Sequence, residues 1–376
     1  MSVYLDYNAT GKVRPEAATA VARALELGGN PSSVHAAGRV ARSIVEAARE
    51  SVGRLVGAKA GSVVFTSGGT EANALAIESA RLAGFERIIV GATEHDAVLE
   101  NARASGVETE IWPVDATGVA DLDWLRGRLA SGPRALVCLM LANNETGVIQ
   151  PVAGAAEIVL VADGWLHVDA VQGAGKIEVD FADLGADSLA LSAHKLGGPQ
   201  GVGALVAGPR ATLSRRLHGG GQERGCRAGT ENVPGIAGFG AAAAAALDDP
   251  GAIAHQAEGR DALAASVKRA GAVVLGQAVP RLPQTLCFAA PGFGSEVQVM
   301  GMDLAGVMIS AGAACSSGKV KPSRVIEAMG RPDLAPFAIR VSGGWATTAS
   351  DWARCADAWS EIFARHQARR PASAAA

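Results

Sequence analysis

Between residues 60 and 210 short apolar runs alternate with helical patterns, and that alternation restricts the fold more than any other feature. "SVVFTS", "RIIVGA", "TEIWPV", "RALVCLML", "GWLHVDA", "DSLALSA" and "GVGALVA" read as strands, while "TEANALAIESARLAG", "AVLENARASG", "DLDWLRGRLA" and "AAEIVLVADG" read as helices. Near-continuous apolar strands that alternate with helices must be covered on both faces, so the expected class is α/β with a mostly parallel sheet. From 233 to 270 the pattern turns helical and alanine-rich. A second set then follows: strand "QTLCFAA", helix "EVQVMGMDLAG", helix "PSRVIEAMG", strand "FAIRVSG" and a last helix over 349–370. This predicts a smaller C-terminal α+β domain, with the boundary near "DDPGAI" and a frayed tail at 371–376.

Bulk numbers exclude several classes. Net charge is −3 and the pI about 6.2, so there is no basic field for nucleic acid or an anionic membrane. No apolar run approaches a membrane span, and "MSVYLDYNAT" lacks the pattern of a signal peptide. Five widely spaced cysteines form neither a disulfide framework nor a CxxC metal spacing. A cytoplasmic enzyme is the expectation.

The chemistry concentrates at strand ends, where open parallel sheets build their ligand sites. In "FTSGGTEANALAI" a strand runs into two glycines and Thr70 opens a helix, an arrangement that offers free N–H groups and a hydroxyl to a phosphate. It is not a Walker loop; the nearest candidate, "AVQGAGKI", has Ala170 in place of the first glycine and Ile177 after the lysine. Asp169 ends one predicted strand and His194-Lys195 another. An ammonium at the end of a buried strand is costly, and either a salt bridge to Asp169 or a covalent imine would relieve it. With a phosphate cradle added, the set matches what pyridoxal phosphate needs: Lys195 for the imine, Asp169 for the pyridine nitrogen, Gly69-Thr70 for the phosphate. His95, in "ATEHDAV", offers a flat ring to stack on it. Cys315 sits in "SAGAACSSGKVKPS" among small residues, followed by Lys319 and Lys321. A buried packing cysteine and a reactive thiolate are both open there, the cations favouring the thiolate. Cys138 and Cys287, in apolar strands, read as packing residues.

The chain resembles cysteine desulfurases of the NifS/IscS type, in the class V aminotransferase group of fold-type I pyridoxal-phosphate enzymes. The likeness runs through "YLDYNAT", "GNPSSVHAAGR", "FTSGGTEAN", "TEHDAVL", "NNETG", "HVDAVQ", "SAHKLGGPQGVGAL", "GGGQERGCRAGTENVP", "SSGKVKPSRVIEAMG" and "IRVSGGWATT". It implies a large cofactor-binding domain over 12–255, and a small domain formed by 1–11 with 256–370 that carries the cysteine loop. It further implies Lys195 on the cofactor's aldehyde, His95 on its ring, Asp169 on the pyridine nitrogen, Gln172 on the phenolic oxygen and Asn144 as a further contact. Gly69, Thr70, Ser192 and His194 would hold the phosphate, joined by Thr230 from the other subunit of a homodimer. Asn30 and Arg340 would bind the carboxylate of L-cysteine, and Cys315 would take its sulfur as a persulfide. A sulfur acceptor such as an iron–sulfur scaffold or a sulfurtransferase would follow. Other readings are a selenocysteine lyase, another class V enzyme, or a low-turnover sulfur-transfer partner. The chain departs from the family pattern at Gly11, Gly198, Gln200, Cys226 and Trp345, none of them a residue assigned to chemistry.

Overall fold

A computed structural model describes residues 2–312 and 322–369 of the 376. Its largest sheet has seven strands in the order Val63–Thr66, Gly203–Ala207, Ser188–Ser192, Trp165–Asp169, Ala135–Met140, Arg87–Gly91, Glu108–Trp112. Six point the same way, and Gly203–Ala207 is antiparallel to both of its neighbours. Each expected strand in this region is present, and the sheet is mostly parallel.

Continuous burial explains the apolar runs. Every residue of Ala135–Met140 is buried, and successive side chains enter different cores. Val137 and Leu139 pack in one cluster with Val159 and Phe239; Leu136 and Cys138 pack in another with Val98 and Leu99. Helices Ala36–Leu55, Val152–Val161 and Val233–Asp248 contribute to the first cluster, and Gly69–Leu82 and Asp96–Ala104 to the second. Helices Pro15–Leu27 and Ala36–Leu55 precede the region in which the sequence alternation was read.

A smaller antiparallel sheet has the order Ser310–Ala311, Ala338–Ser342, Thr285–Ala289, Val273–Leu275. The three-residue strand Val273–Leu275 carries too little pattern to be read from sequence. Helices Gln256–Arg269 and Ala349–Ala368 cover this sheet through Leu263, Val267, Trp352, Trp359 and Phe363. Both buried indoles are satisfied, Trp352 Nε1 donating to Gln256 Oε1 at 2.8 Å and Trp359 Nε1 to Gln298 Oε1 at 2.9 Å. The N-terminal strand Val3–Tyr4 pairs in parallel with Val307–Met308. From there the chain crosses to the large sheet, and Tyr7-Asn8-Ala9 runs along the seam between the two. Among the described residues no helix is long and apolar enough to cross a membrane.

Candidate active site

A cleft of about 650 Å³ opens at the C-terminal ends of the parallel strands, closed on its far side by the smaller sheet. Its lining brings together ten of the expected residues: Gly69, Thr70, His95, Asn144, Asp169, Gln172, Ser192, His194, Lys195 and Arg340.

At one end, strand Val63–Thr66 turns into helix Gly69–Leu82. No side chain caps that helix, so its first N–H groups are free to meet an anion. A Cβ on Gly69 would come within 2.8 Å of Val171 Cγ2, so the close approach of turn and strand end requires glycine. His194, beside Ser192, shares a 2.7 Å hydrogen bond with Thr10 Oγ1 through its Nδ1. Burial, then the charges of Lys195 and Lys176, hold its pKa down to about 4, so the ring is neutral at pH 7.

Asp169 ends its strand with both oxygens occupied: Asn73 Nδ2 donates to Oδ2 at 2.8 Å and the Val171 N–H to Oδ1 at 3.0 Å. Because Asn73 gives its NH₂ to Asp169, its Oδ1 must accept from His167 Nε2–H, 2.8 Å away. Burial pushes the His167 pKa down to about 3, so the ring is neutral and Nδ1 accepts from Ser188 Oγ, also at 2.8 Å. Trp165 Nε1 donates to the same Oγ at 2.8 Å. One directed chain therefore runs from Trp165 through Ser188, His167 and Asn73 to the carboxylate. Sequence reasoning missed Asn73 and His167. A signal was present for His167, which lies two residues before Asp169 and so on the same face of the strand.

Lys195 follows strand Ser188–Ser192 in a short 3₁₀ turn and does not pair with Asp169; its Nζ donates to the carbonyls of Asn8 and Ala9, each at 2.7 Å. Burial first, then Arg340, lowers its pKa to about 8. A lysine so placed is a nucleophile near neutral pH. His95 caps helix Asp96–Ala104, its Nδ1 accepting the Ala97 N–H at 3.0 Å, which leaves the proton of the neutral ring on Nε2. Arg340 donates from Nη2 to Asp6 Oδ1 at 2.7 Å and from Nη1 to the Asn144 carbonyl at 3.1 Å; its buried Nε has no partner among the described residues.

Two expected residues lie elsewhere. Thr230 lines a separate hollow with Ser67, Arg227 and Gly229. Asn30 is exposed and outside the cleft lining, its Oδ1 accepting the Ser32 N–H at 2.9 Å. Cys315 lies outside the described residues, but Gly312 and Pro322, on either side of the undescribed segment 313–321, both line the cleft. Cys138 and Cys287 are fully buried, as packing residues should be.

The aminotransferase class-V family profile matches residues 3–354. The chain belongs to that family. Within it, a cysteine desulfurase from Cereibacter sphaeroides is 45% identical over 362 residues, covering 93% of this chain and 92% of its own. Cysteine desulfurase IscS from Dictyoglomus turgidum is 41% identical over 360 residues, covering 93% and 91%. Among solved structures, a NifS-like protein from Rickettsia africae shares 30% identity at a TM-score of 0.88, covering 97% of this chain and 100% of that one. The chain is thus a class-V aminotransferase of the cysteine desulfurase kind, and this kind depends on pyridoxal phosphate.

The residues of the cleft fit that cofactor. Its aldehyde needs an amine that is free near neutral pH, its pyridine nitrogen a carboxylate, and its phosphate a set of free N–H donors. Lys195, Asp169 and the open start of helix Gly69–Leu82 are of those kinds and line one cavity. Two departures from the family pattern have local reasons. A Cβ on Gly198 would lie 2.9 Å from Ala193 Cβ, and one on Gly11 3.1 Å from the His194 carbonyl, so a larger residue at either would press on the turn holding Lys195. Trp345, another of those departures, donates from Nε1 to the Lys12 carbonyl at 2.8 Å and stacks under Arg14.

Proposed function

We propose that this chain takes sulfur from L-cysteine, releases L-alanine, and holds the sulfur as a persulfide on Cys315. The observation that carries the reading is one cleft lined by Lys195, Asp169 and the uncapped helix start, with both flanks of the Cys315 segment on its wall. The described relatives are cysteine desulfurases, which favours this reading over a selenocysteine lyase or an idle sulfur-transfer partner.

When bound, pyridoxal phosphate supplies an electron sink for the pair left at the substrate Cα. The remaining work falls to the chain. Lys195 would hold the cofactor's aldehyde and would take the Cα proton of the substrate; a pKa of about 8 suits both tasks. Asp169 would meet the pyridine nitrogen, its carboxylate aimed by the Asn73–His167 chain. His95 would stack on the ring, and Gln172 and Asn144 would contact the cofactor. Gly69, Thr70, Ser192 and His194 take the phosphate with Thr230 of the other subunit. Arg340 takes the substrate carboxylate together with Asn30. The Cys315 thiolate attacks the substrate sulfur. An S–S bond forms and the Cβ–S bond breaks, its electron pair staying with Cβ, which takes a proton; Cα regains the proton it lost, and alanine leaves.

In this reading residues 12–255 bind the cofactor, residues 1–11 and 256–370 carry the Cys315 segment, and the active form is a cytoplasmic homodimer. Its sulfur passes to an acceptor protein, an iron–sulfur scaffold or a sulfurtransferase. Supplying the purified holoenzyme with L-cysteine and a thiol reductant tests the activity. Equal amounts of alanine and sulfide are expected, and pyruvate or no product would sink the reading.

A further inference from the structure

Lys176, in the turn after strand Trp165–Asp169, is a buried amine that the proposed chemistry does not use; it is 9% exposed. Its Nζ meets two amide oxygens, Asn8 Oδ1 at 3.3 Å and Gln172 Oε1. Neither is charged. Burial first, then the charges of Lys195 and Arg340, pushes its pKa well below the ordinary lysine range. Two acceptors are thus present for its N–H bonds.

The consequence falls on Gln172. An isolated glutamine amide can turn over and exchange its oxygen for its nitrogen at little cost. Here the oxygen is committed to Lys176, so Nε2 must point the other way, where it donates to the Asn8 carbonyl at 2.9 Å. Asn8 is fixed by the same logic. Its Nδ2 donates to the Asn144 carbonyl at 3.1 Å and to Thr285 Oγ1 at 2.9 Å, which leaves Oδ1 for Lys176. Asn8 also accepts from Lys195 through its carbonyl. Lys176 thus braces a node on which the lysine, the glutamine and the smaller sheet all converge.

We propose that Lys176 is a positioning residue that locks the Gln172 amide with its NH₂ end toward the cleft, so that it offers a donor to the cofactor's phenolic oxygen. The proposal rests on reading Gln172 as the partner of that oxygen. Were the amide free to turn, its carbonyl would face an oxygen of like partial charge for part of the time, and the contact would weaken.

The test is a double-substitution cycle in the full-length holoenzyme with Lys176→Met, Gln172→Leu and the pair combined. The readout is the dissociation constant for pyridoxal phosphate, followed by its visible absorbance on serial dilution. Lys176→Leu runs in parallel, so that a folding failure of one substitution leaves the cycle intact, and unfolding temperatures confirm that each protein is folded. Each single change should weaken cofactor binding by about five- to tenfold, the worth of one hydrogen bond to a polar or charged group. The combined variant should be no more than about twofold weaker than Gln172→Leu alone, because Lys176 acts through Gln172. If Gln172→Leu weakens binding but the Lys176 variants bind normally, Lys176 has no positioning role. If the two effects multiply, it acts elsewhere. If Gln172→Leu itself leaves affinity unchanged, the reading of Gln172 fails and takes this proposal with it.

Discussion

The depressed pKa of Lys195 makes a quantitative prediction about how the protein captures its cofactor. Only a free amine attacks an aldehyde, so the capture rate follows the unprotonated fraction of Lys195. With a pKa of about 8, roughly a tenth of the side chain is free amine at pH 7; an ordinary lysine, at 10.5, would offer only about one part in 3,000. Its surroundings therefore raise the reactive fraction by about 300-fold at pH 7. Burial is the larger cause and the Arg340 guanidinium the next, with Asp6 and Asp169 pulling the other way. In stopped-flow mixing of cofactor-free protein with pyridoxal phosphate, the capture rate should climb close to tenfold from pH 6 to 7. It should bend near pH 8 and level off above it. Arg340→Leu should move that bend upward, because the charge opposing protonation is gone. A rate that keeps rising tenfold per pH unit through pH 10 would refute the reasoning, as would an Arg340→Leu bend shifted downward.

Asn73→Ala removes the donor to Asp169 and strands the His167 N–H, both buried; we expect a loss of about 3 kcal/mol in stability by urea unfolding. In the same assay, Asn73→Ala combined with His167→Leu should cost clearly less than the sum of the two single changes, and additive costs would mean the chain is not a unit. Thr230→Ala should weaken cofactor retention by about 1–3 kcal/mol if its hydroxyl completes the neighbouring subunit's phosphate site. Analytical ultracentrifugation of the same samples checks the assembly, since a monomer that retains cofactor fully would contradict that role.

Much of the site was legible because chemistry and topology coincide in short motifs. Asp169 ends the short β-rich run "WLHVD" and Lys195 closely follows "SLALS", so their place at a strand end was readable without a structure. The direction of Gly203–Ala207 was not, since an apolar run carries no mark of whether it pairs parallel or antiparallel. Asn73 sits in an ordinary helical pattern, and only the fold shows that it reaches His167 and Asp169. Lys176 was visible only as part of a failed Walker match; its partner Asn8 lies 168 residues away in sequence. Thr230 and Asn30 lie outside the cleft lining of this chain, which no local pattern in the sequence marks.

The central claim is that Cys315 accepts the sulfur, and mass spectrometry of its peptide after one turnover tests it most directly. Holoenzyme is mixed with one equivalent of L-cysteine without reductant, the free thiols are blocked, and the chain is digested. We expect the Cys315 peptide to gain the mass of one sulfur atom, while the peptides of buried Cys138, Cys287 and Cys355 and of half-buried Cys226 stay unchanged. Cys315→Ala should still bind cofactor and remove the Cα proton, seen as hydrogen exchange at Cα in deuterated water, yet yield no persulfide. An added sulfur on another cysteine, or wild-type sulfide release from Cys315→Ala, would contradict the claim.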